Sequence, residues 1–250
     1  MILQDVGMLA VSSNRTKLYL HCLASRQLLP AHVLYLHDPA AETPEAQALA
    51  RRAPIRGRSS PGCHEFDLGL AVPELLERHR IPYERIAWLD PNADPVIEAV
   101  ARCRPSLLIY SGPAGAILRR AILATGKRFL HVHPGALPAY RGSTTLYYSL
   151  LQDGTCAATA LLLAPQLDAG DIVRVQRYPP PVDRTAIDLD YDPWIRAQLL
   201  AEVLEEYART GSIRATPQPP GVGETYFIIH PVLKHLAMFS RRAGPAARHP

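Results

Sequence analysis

Long apolar runs are missing from this sequence. No stretch approaches the roughly eighteen consecutive apolar residues that a membrane-spanning helix needs. The opening MILQDVGMLAVSSNRTK has no basic segment followed by an apolar run and a small-residue cleavage site, so no secretory leader is read there. Cysteine is scarce. Cys22, Cys63, Cys103 and Cys156 are widely separated and form no CxxC pair, which argues against a disulfide framework or a cysteine zinc site. A reducing cytoplasm is the expected setting. Charge of one sign is also in short supply: 27 Lys and Arg face 23 Asp and Glu, a net of +4. Part of that excess, Arg241, Arg242 and Arg248, lies at the far end of the chain. Folded elements dense in basic residues, the footprint of a phosphate-tracking protein, are not seen. Neither nucleic acid nor a membrane is therefore expected as a partner. No internal repeat is visible.

What is present suits a globular chain. The 250 residues are 48% hydrophobic and 20% charged, enough for a substantial core in one large domain. Apolar runs over 6–11, 32–36, 86–89, 106–111 and 129–132 read as buried strands. Helical patterns over 16–28, 73–79, 94–102 and 116–124 alternate with them, and Asn92 or Asp94 is the expected cap of the third. A short helix and then a loop are expected within 40–64. Strand and helix in alternation predict an α/β fold with a mainly parallel sheet covered on both faces. The second half differs: a Pro- and Gly-punctuated loop after His133, a helix over 144–151, strands over 159–163 and 172–177, and a helix over 193–210. The expected plan is one domain over 1–240, with halves 1–133 and 134–240, and a disordered tail over 241–250.

The informative stretch is HVHPGALPAYRGSTTLYYSLLQDG, residues 131–154, followed by LDAGDIV, residues 167–173. His131 and His133 are two apart at a strand end, so extended geometry puts both side chains on one face. That edge is where open α/β sheets place ligands. Pro134, Gly135 and Pro138 prescribe a tight loop that Gly142 ends. Asp168 lies in a turn that can return a carboxylate to the histidines, whereas Asp171 reads as a plain turn residue. Three readings of the pair stay open at this point: ordinary strand-end polar residues, acid–base groups, or metal ligands, although no third ligand of obvious spacing accompanies them.

With these residues the chain resembles the formyltetrahydrofolate-dependent formyltransferase family. That family carries Asn-x-His-Pro-Ser-Leu-Leu-Pro, a loop to Gly and a helix, then Asp-x-Gly in a phrase such as LDTGDI. Here the phrases are His-Val-His-Pro-Gly-Ala-Leu-Pro-Ala-Tyr-Arg-Gly and Leu-Asp-Ala-Gly-Asp-Ile-Val, and the resemblance runs from about 105 to 175. It implies a formyltransferase-like, Rossmann-type sheet with a C-terminal β/α extension. It also implies catalytic roles for His133 and Asp168, and a place for His131 where the family has asparagine. An imidazole N–H at that position is expected to donate to the formyl oxygen. The strand-to-helix segment Tyr110–Leu118 resembles the family's pterin-facing segment. The resemblance thus implies folate contacts for Gly115, Ile117, Leu118, Leu137 and Pro138. The turn Ser13-Asn14-Arg15-Thr16 is similar to an anion-holding loop and, with Arg141 and Gly142, is the expected acceptor side. An ordinary helix cap is the competing reading of that turn.

The expected function is transfer of a formyl group from N10-formyltetrahydrofolate, as cosubstrate, to a small-molecule amine such as an amino sugar, nucleotide-linked amine or amino-acid derivative. Only about eighty residues follow Asp168, which favours a small acceptor over tRNA. A homodimer is compatible with the sequence, and no metal site is expected. Two alternatives remain: a metal-dependent hydrolase or deacylase built on His131 and His133, and a non-catalytic folate-binding relative.

Overall fold

The apolar runs of the first half become the strands of one twisted sheet. The computed structural model describes residues 1–42 and 66–239. In chain order the elements are β1 (Ile2–Val11), α1 (Asn14–Ser25), β2 (Leu29–Leu36), a short 3₁₀ turn (Pro39–Glu42), α2 (Val72–Arg78), β3 (Tyr83–Ile86) and α3 (Asp94–Arg102). Then come β4 (Leu107–Ser111), α4 (Arg120–Leu123), β5 (Arg128–His133), β6 (Tyr140–Gly142), α5 (Thr145–Gln152), β7 (Cys156–Leu162) and β8 (Ile172–Tyr178). A π-turn (Ile187–Tyr191) leads into α6 (Asp192–Thr210), followed by β9 (Glu224–Tyr226) and α7 (Pro231–Phe239). Cys63, most of the helix and loop expected within 40–64, and the tail over 241–250 lie outside the described residues.

Seven strands pair in the order β3-β2-β1-β4-β5-β7-β8. The five strands on the β3 side run parallel, while β7 is antiparallel to both β5 and β8. The strand order reverses between β1 and β4, which opens a crevice at their carboxyl ends. Alternation of side chains sends Met8, Ala10, Ile109, Leu130 and Val132 into the core beneath α1, α2, α5 and α6. Leu9, Val11, Leu108, Tyr110 and Phe129 face the opposite way, toward α3 and α4. Burying both faces explains why β4 reads as an unbroken apolar run and not an alternating one. Each fully buried Leu, Ile or Phe contributes about 1.5–3 kcal/mol.

Three expectations are corrected. The third helix is capped by neither Asn92 nor Asp94; Ala93 stands at the cap with no side-chain bond. Asn92 instead donates to the Ile117 carbonyl (3.0 Å) and accepts from the Arg119 amide (2.7 Å). That clamp holds 117–119 extended, so the helix expected over 116–124 shrinks to the single turn of α4. The strand expected over 86–89 ends at Ile86, and Trp88 and Leu89 are exposed.

A second, two-stranded sheet of β6 and β9 fastens the loop after His133 to the segment before α7. Its closeness depends on Gly223, which has φ +91° and whose Cβ would lie 1.6 Å from the Pro138 carbonyl oxygen. Gly223→Ala is expected to lower stability by about 2 kcal/mol, from the left-handed backbone and the clash together. Urea unfolding measures this, and an unchanged midpoint would show that β9 is not tied to the loop.

Candidate functional site

The site forms where β5 ends. Phe129, His131 and His133 alternate with Leu130 and Val132, so the two imidazoles share the sheet face of Phe129. His133 is 2% exposed, and both its nitrogens face protein oxygens. Its Nε2 lies 2.7 Å from the Tyr140 carbonyl and 3.3 Å from Thr145 Oγ1, while Nδ1 lies 3.4 Å from Asp168 Oδ2. Thr145 Oγ1 donates to the Pro134 carbonyl at 2.6 Å and fixes the start of the loop. The Tyr140 carbonyl can only accept, so Nε2 carries the hydrogen. Nδ1 then presents a lone pair to a carboxylate, a gap that one added proton closes. Burial lowers the His133 pKa, against the raising effect of Asp168.

Asp168 is held from three directions. It adopts φ +49°, its Oδ2 accepts from the Gly142 amide at 2.8 Å, and its carbonyl accepts from Gln218 Nε2 at 2.7 Å. Gln218 also donates to the Gly170 carbonyl (2.8 Å) and accepts from Arg141 Nη2 (3.0 Å). Gly142 is required where it stands: at φ +94° its Cβ would meet the Tyr226 carbonyl oxygen at 2.1 Å.

His131 is half-buried, with Nδ1 3.2 Å from the Tyr110 carbonyl and its ring packed on the Tyr110 ring. The carbonyl again demands a hydrogen on Nδ1, which leaves Nε2 of the neutral ring as an acceptor. Desolvation, then the charges of Arg196 and Arg15, hold this imidazole well below 6.5. The neutral ring thus keeps its one hydrogen on Nδ1, toward the Tyr110 carbonyl.

Arg196 adjoins the site, and the sequence did not single it out. It is 5% exposed, donates from Nε to the Val132 carbonyl between the two histidines (2.7 Å), and pairs through Nη1 with Asp192 Oδ2 (3.3 Å). A signal existed: Arg196 sits on the same stripe of α6 as Leu199, Leu200 and Val203, a charge on a buried face. Gln218, between Pro217 and Pro219, carried no such signal.

The turn after β1 makes its bonds within the protein. Ser13 caps α1 by accepting from the Thr16 amide (3.1 Å), Asn14 donates to the Leu189 carbonyl (2.9 Å), and buried Thr16 meets Ser111 Oγ at 2.8 Å. Arg15 donates to Ser111 Oγ (3.1 Å) and to the Gly112 carbonyl, and burial lowers its pKa to about 10. This is the geometry of a cap.

A cavity of about 380 Å³ opens on the Phe129 face. Leu123, Ala124, Phe129, Leu162, Leu163 and Pro165 line it, and Arg120, Lys127 and Arg128 stand around it. The cavity lies at the amino end of β5, whereas the residues expected to touch folate follow the carboxyl ends of β4 and β5. Ile117 is 49% exposed, Leu118 is packed in the core, and Gly115 stands in an open left-handed turn. Leu137 donates its amide to Thr159 Oγ1 (3.1 Å) on the other side of His133, and Pro138 lies against Gly223. Among the described residues, no three His, Cys, Asp or Glu side chains converge as metal ligands, and no helix is long and apolar enough to cross a membrane.

No protein-family model matches the chain. Over 144 residues it is 36% identical to a methionyl-tRNA formyltransferase of Chloroflexus aurantiacus, a match covering 56% of this chain and 45% of that protein. The chain thus spans less than half the length of that curated relative. Its fold is similar to that of a phosphoribosylglycinamide formyltransferase from Anaplasma phagocytophilum (TM-score 0.56, 17% identity, covering 89% of this chain and 97% of the other). It is also similar to an N-formyltransferase from Helicobacter canadensis solved with folinic acid and dTDP-3-aminofucose (TM-score 0.55, 14% identity, covering 91% and 71%).

The depressed His131 has a consequence for stability. Below the ordinary value of 6.5 the unfolded chain binds a proton at this position that the folded chain refuses. The stability it contributes is therefore complete above 6.5 and is lost as pH falls, at up to about 1.4 kcal/mol per pH unit. His21, His79 and His133 are lowered too and titrate in any variant that keeps them. His131→Asn should therefore lose less stability than wild type between pH 7.5 and 5.5 in urea unfolding. Equal losses would show that the imidazole is not depressed.

Proposed function

We propose that this chain, which belongs to the formyltransferase family by sequence and fold, transfers a formyl group from N10-formyltetrahydrofolate to the amine of a small molecule. The observation that carries this reading is the pairing of His133 with Asp168 at 3.4 Å where β5 ends, at the carboxyl edge of the sheet. Gly115, Ile117, Leu118, Leu137 and Pro138, which follow the carboxyl ends of β4 and β5, take the folate-facing role in this reading. The folinic acid bound to the Helicobacter neighbour supports the choice of ligand class.

The residues divide the work in this way. The donor's formyl group lies at the carboxyl end of β5, beside His131 and His133. The amine enters from the crevice at the carboxyl ends of β1 and β4. The His133–Asp168 pair answers, with its carboxylate, the positive charge that develops as the amine attacks. The Gly142 amide and Gln218 keep that carboxylate in place. A positioned acid–base group of this kind contributes about 10²–10⁴-fold to rate.

A second reading concerns the acceptor alone. The curated relative acts on methionyl-tRNA by its name, and the sequence match to it favours an aminoacyl-tRNA amine. Methionyl-tRNA and a nucleotide-linked amino sugar, each assayed with N10-formyltetrahydrofolate, separate the two. A metal-dependent hydrolase is disfavoured because His133 Nε2 is committed to the Tyr140 carbonyl and, among the described residues, no third His, Cys, Asp or Glu converges on the pair.

The folate reading is tested by thermal stabilisation with 5-formyltetrahydrofolate, an unreactive analogue. Ligand at a hundred times Kd adds about 2.7 kcal/mol, and Ile117→Glu, at an exposed position of the expected pterin-facing segment, should abolish the shift. Asp168→Asn should keep the shift and lose at least about a hundredfold in transfer. No shift in wild type at millimolar ligand would overturn the assignment.

A further inference from the structure

We propose that His131 is the base of the transfer, its Nε2 lone pair accepting the proton that the attacking amine must shed. The inference rests on the formyl-transfer reading and adds to it the direction in which the proton moves. It follows from three features of the ring. The Tyr110 carbonyl on β4 occupies Nδ1 at 3.2 Å and fixes the tautomer, so the free nitrogen is the acceptor. No described residue bonds to Nε2, and His131 is only partly covered at the carboxyl end of β5. The charged groups facing it are cations, Arg196 from α6 and Arg15 from the start of α1, with His133 beside it on β5. They oppose a standing proton and leave the lone pair available at neutral pH.

His133 is the less suitable first acceptor. It is 2% exposed, its Nε2 is committed to the Tyr140 carbonyl at 2.7 Å, and its Nδ1 faces only Asp168. An incoming amine cannot reach either nitrogen without displacing protein. The two imidazoles therefore have separate tasks: His131 handles the travelling proton, and the His133–Asp168 unit answers the charge that develops beside it.

The step balances without a further reactant. The amine lone pair forms the new N–C bond to the formyl carbon, and the amine proton passes to His131 Nε2. The bond from that carbon to N10 then breaks, leaving its electron pair on N10, which takes the proton back from Nε2. The products are a formamide and tetrahydrofolate, and His131 returns to its neutral tautomer. An asparagine at this position has an amide that donates and a carbonyl that accepts only weakly, so it cannot cycle a proton in this way.

The test uses the full chain labelled with ¹⁵N-histidine, its His131 signals identified by their loss in His131→Asn. At pH 7, long-range ¹H–¹⁵N spectra should show Nδ1 protonated and Nε2 bare. Hydroxylamine then serves as a probe acceptor with N10-formyltetrahydrofolate. His131→Asn should lose at least about a hundredfold in kcat, lose the acid limb of the wild-type pH profile, and recover part of its rate with added imidazole. It should keep its stabilisation by 5-formyltetrahydrofolate. A hydrogen on Nε2 at pH 7, or an asparagine variant with undiminished kcat, overturns the base role and leaves the folate reading standing. Absence of both stabilisation and transfer in wild type overturns the folate reading, and the base role with it.

Discussion

The bond from Arg196 Nε to the Val132 carbonyl is the constraint around which the site is arranged. It joins the longest helix to the strand that ends in the histidines, and it does so at the peptide between them. A buried guanidinium costs several kcal/mol in lost hydration, and removing either member of a buried ion pair typically costs about 3–5 kcal/mol. Asp192, one helical turn earlier, offsets part of that cost through its contact at 3.3 Å. The charge lowers the proton affinity of His131 and opposes protonation of His133 as well. One side chain thereby sets the position of β5 and the electrostatic state of what β5 presents.

The same economy governs the acidic turn. Asp168 would be a solvated turn residue if only its neighbours in sequence acted on it. The Gly142 amide and the Gln218 side chain hold it instead at an imidazole. Gly142 can serve because its backbone is left-handed and hydrogen is all it carries there. The loop, the turn and the strap through 218 are separately weak structures that become one rigid rim where they meet.

Much of this was legible in the sequence, and the parts that were not share a cause. The parallel sheet could be read because strands buried on both faces are apolar throughout, as 107–111 are. The shared face of His131 and His133 followed from the period of two, and the return of Asp168 from its turn. By contrast, the helix expected over 116–124 forms only over Arg120–Leu123 because Asn92, far back in the chain, bonds to Ile117 and Arg119. The tautomer of His131 depends on a carbonyl of another strand, and the cavity on Leu163 meeting Phe129 across β7. Local pattern reports which face a residue occupies. It does not report which distant atom waits there, and proton positions at this site are decided by such atoms.

The clamp at Gln218 has an implication for how the protein is made. Residue 218 must reach back 50 positions to grip the Asp168 turn, and Arg196 must reach back 64 to the Val132 peptide. During synthesis the strands that carry the histidines can pair long before either partner has left the ribosome, since chains emerge from the amino end. The nascent sheet therefore exists for a time with its reactive rim unassembled, and competence is acquired late, when the helix and strap dock.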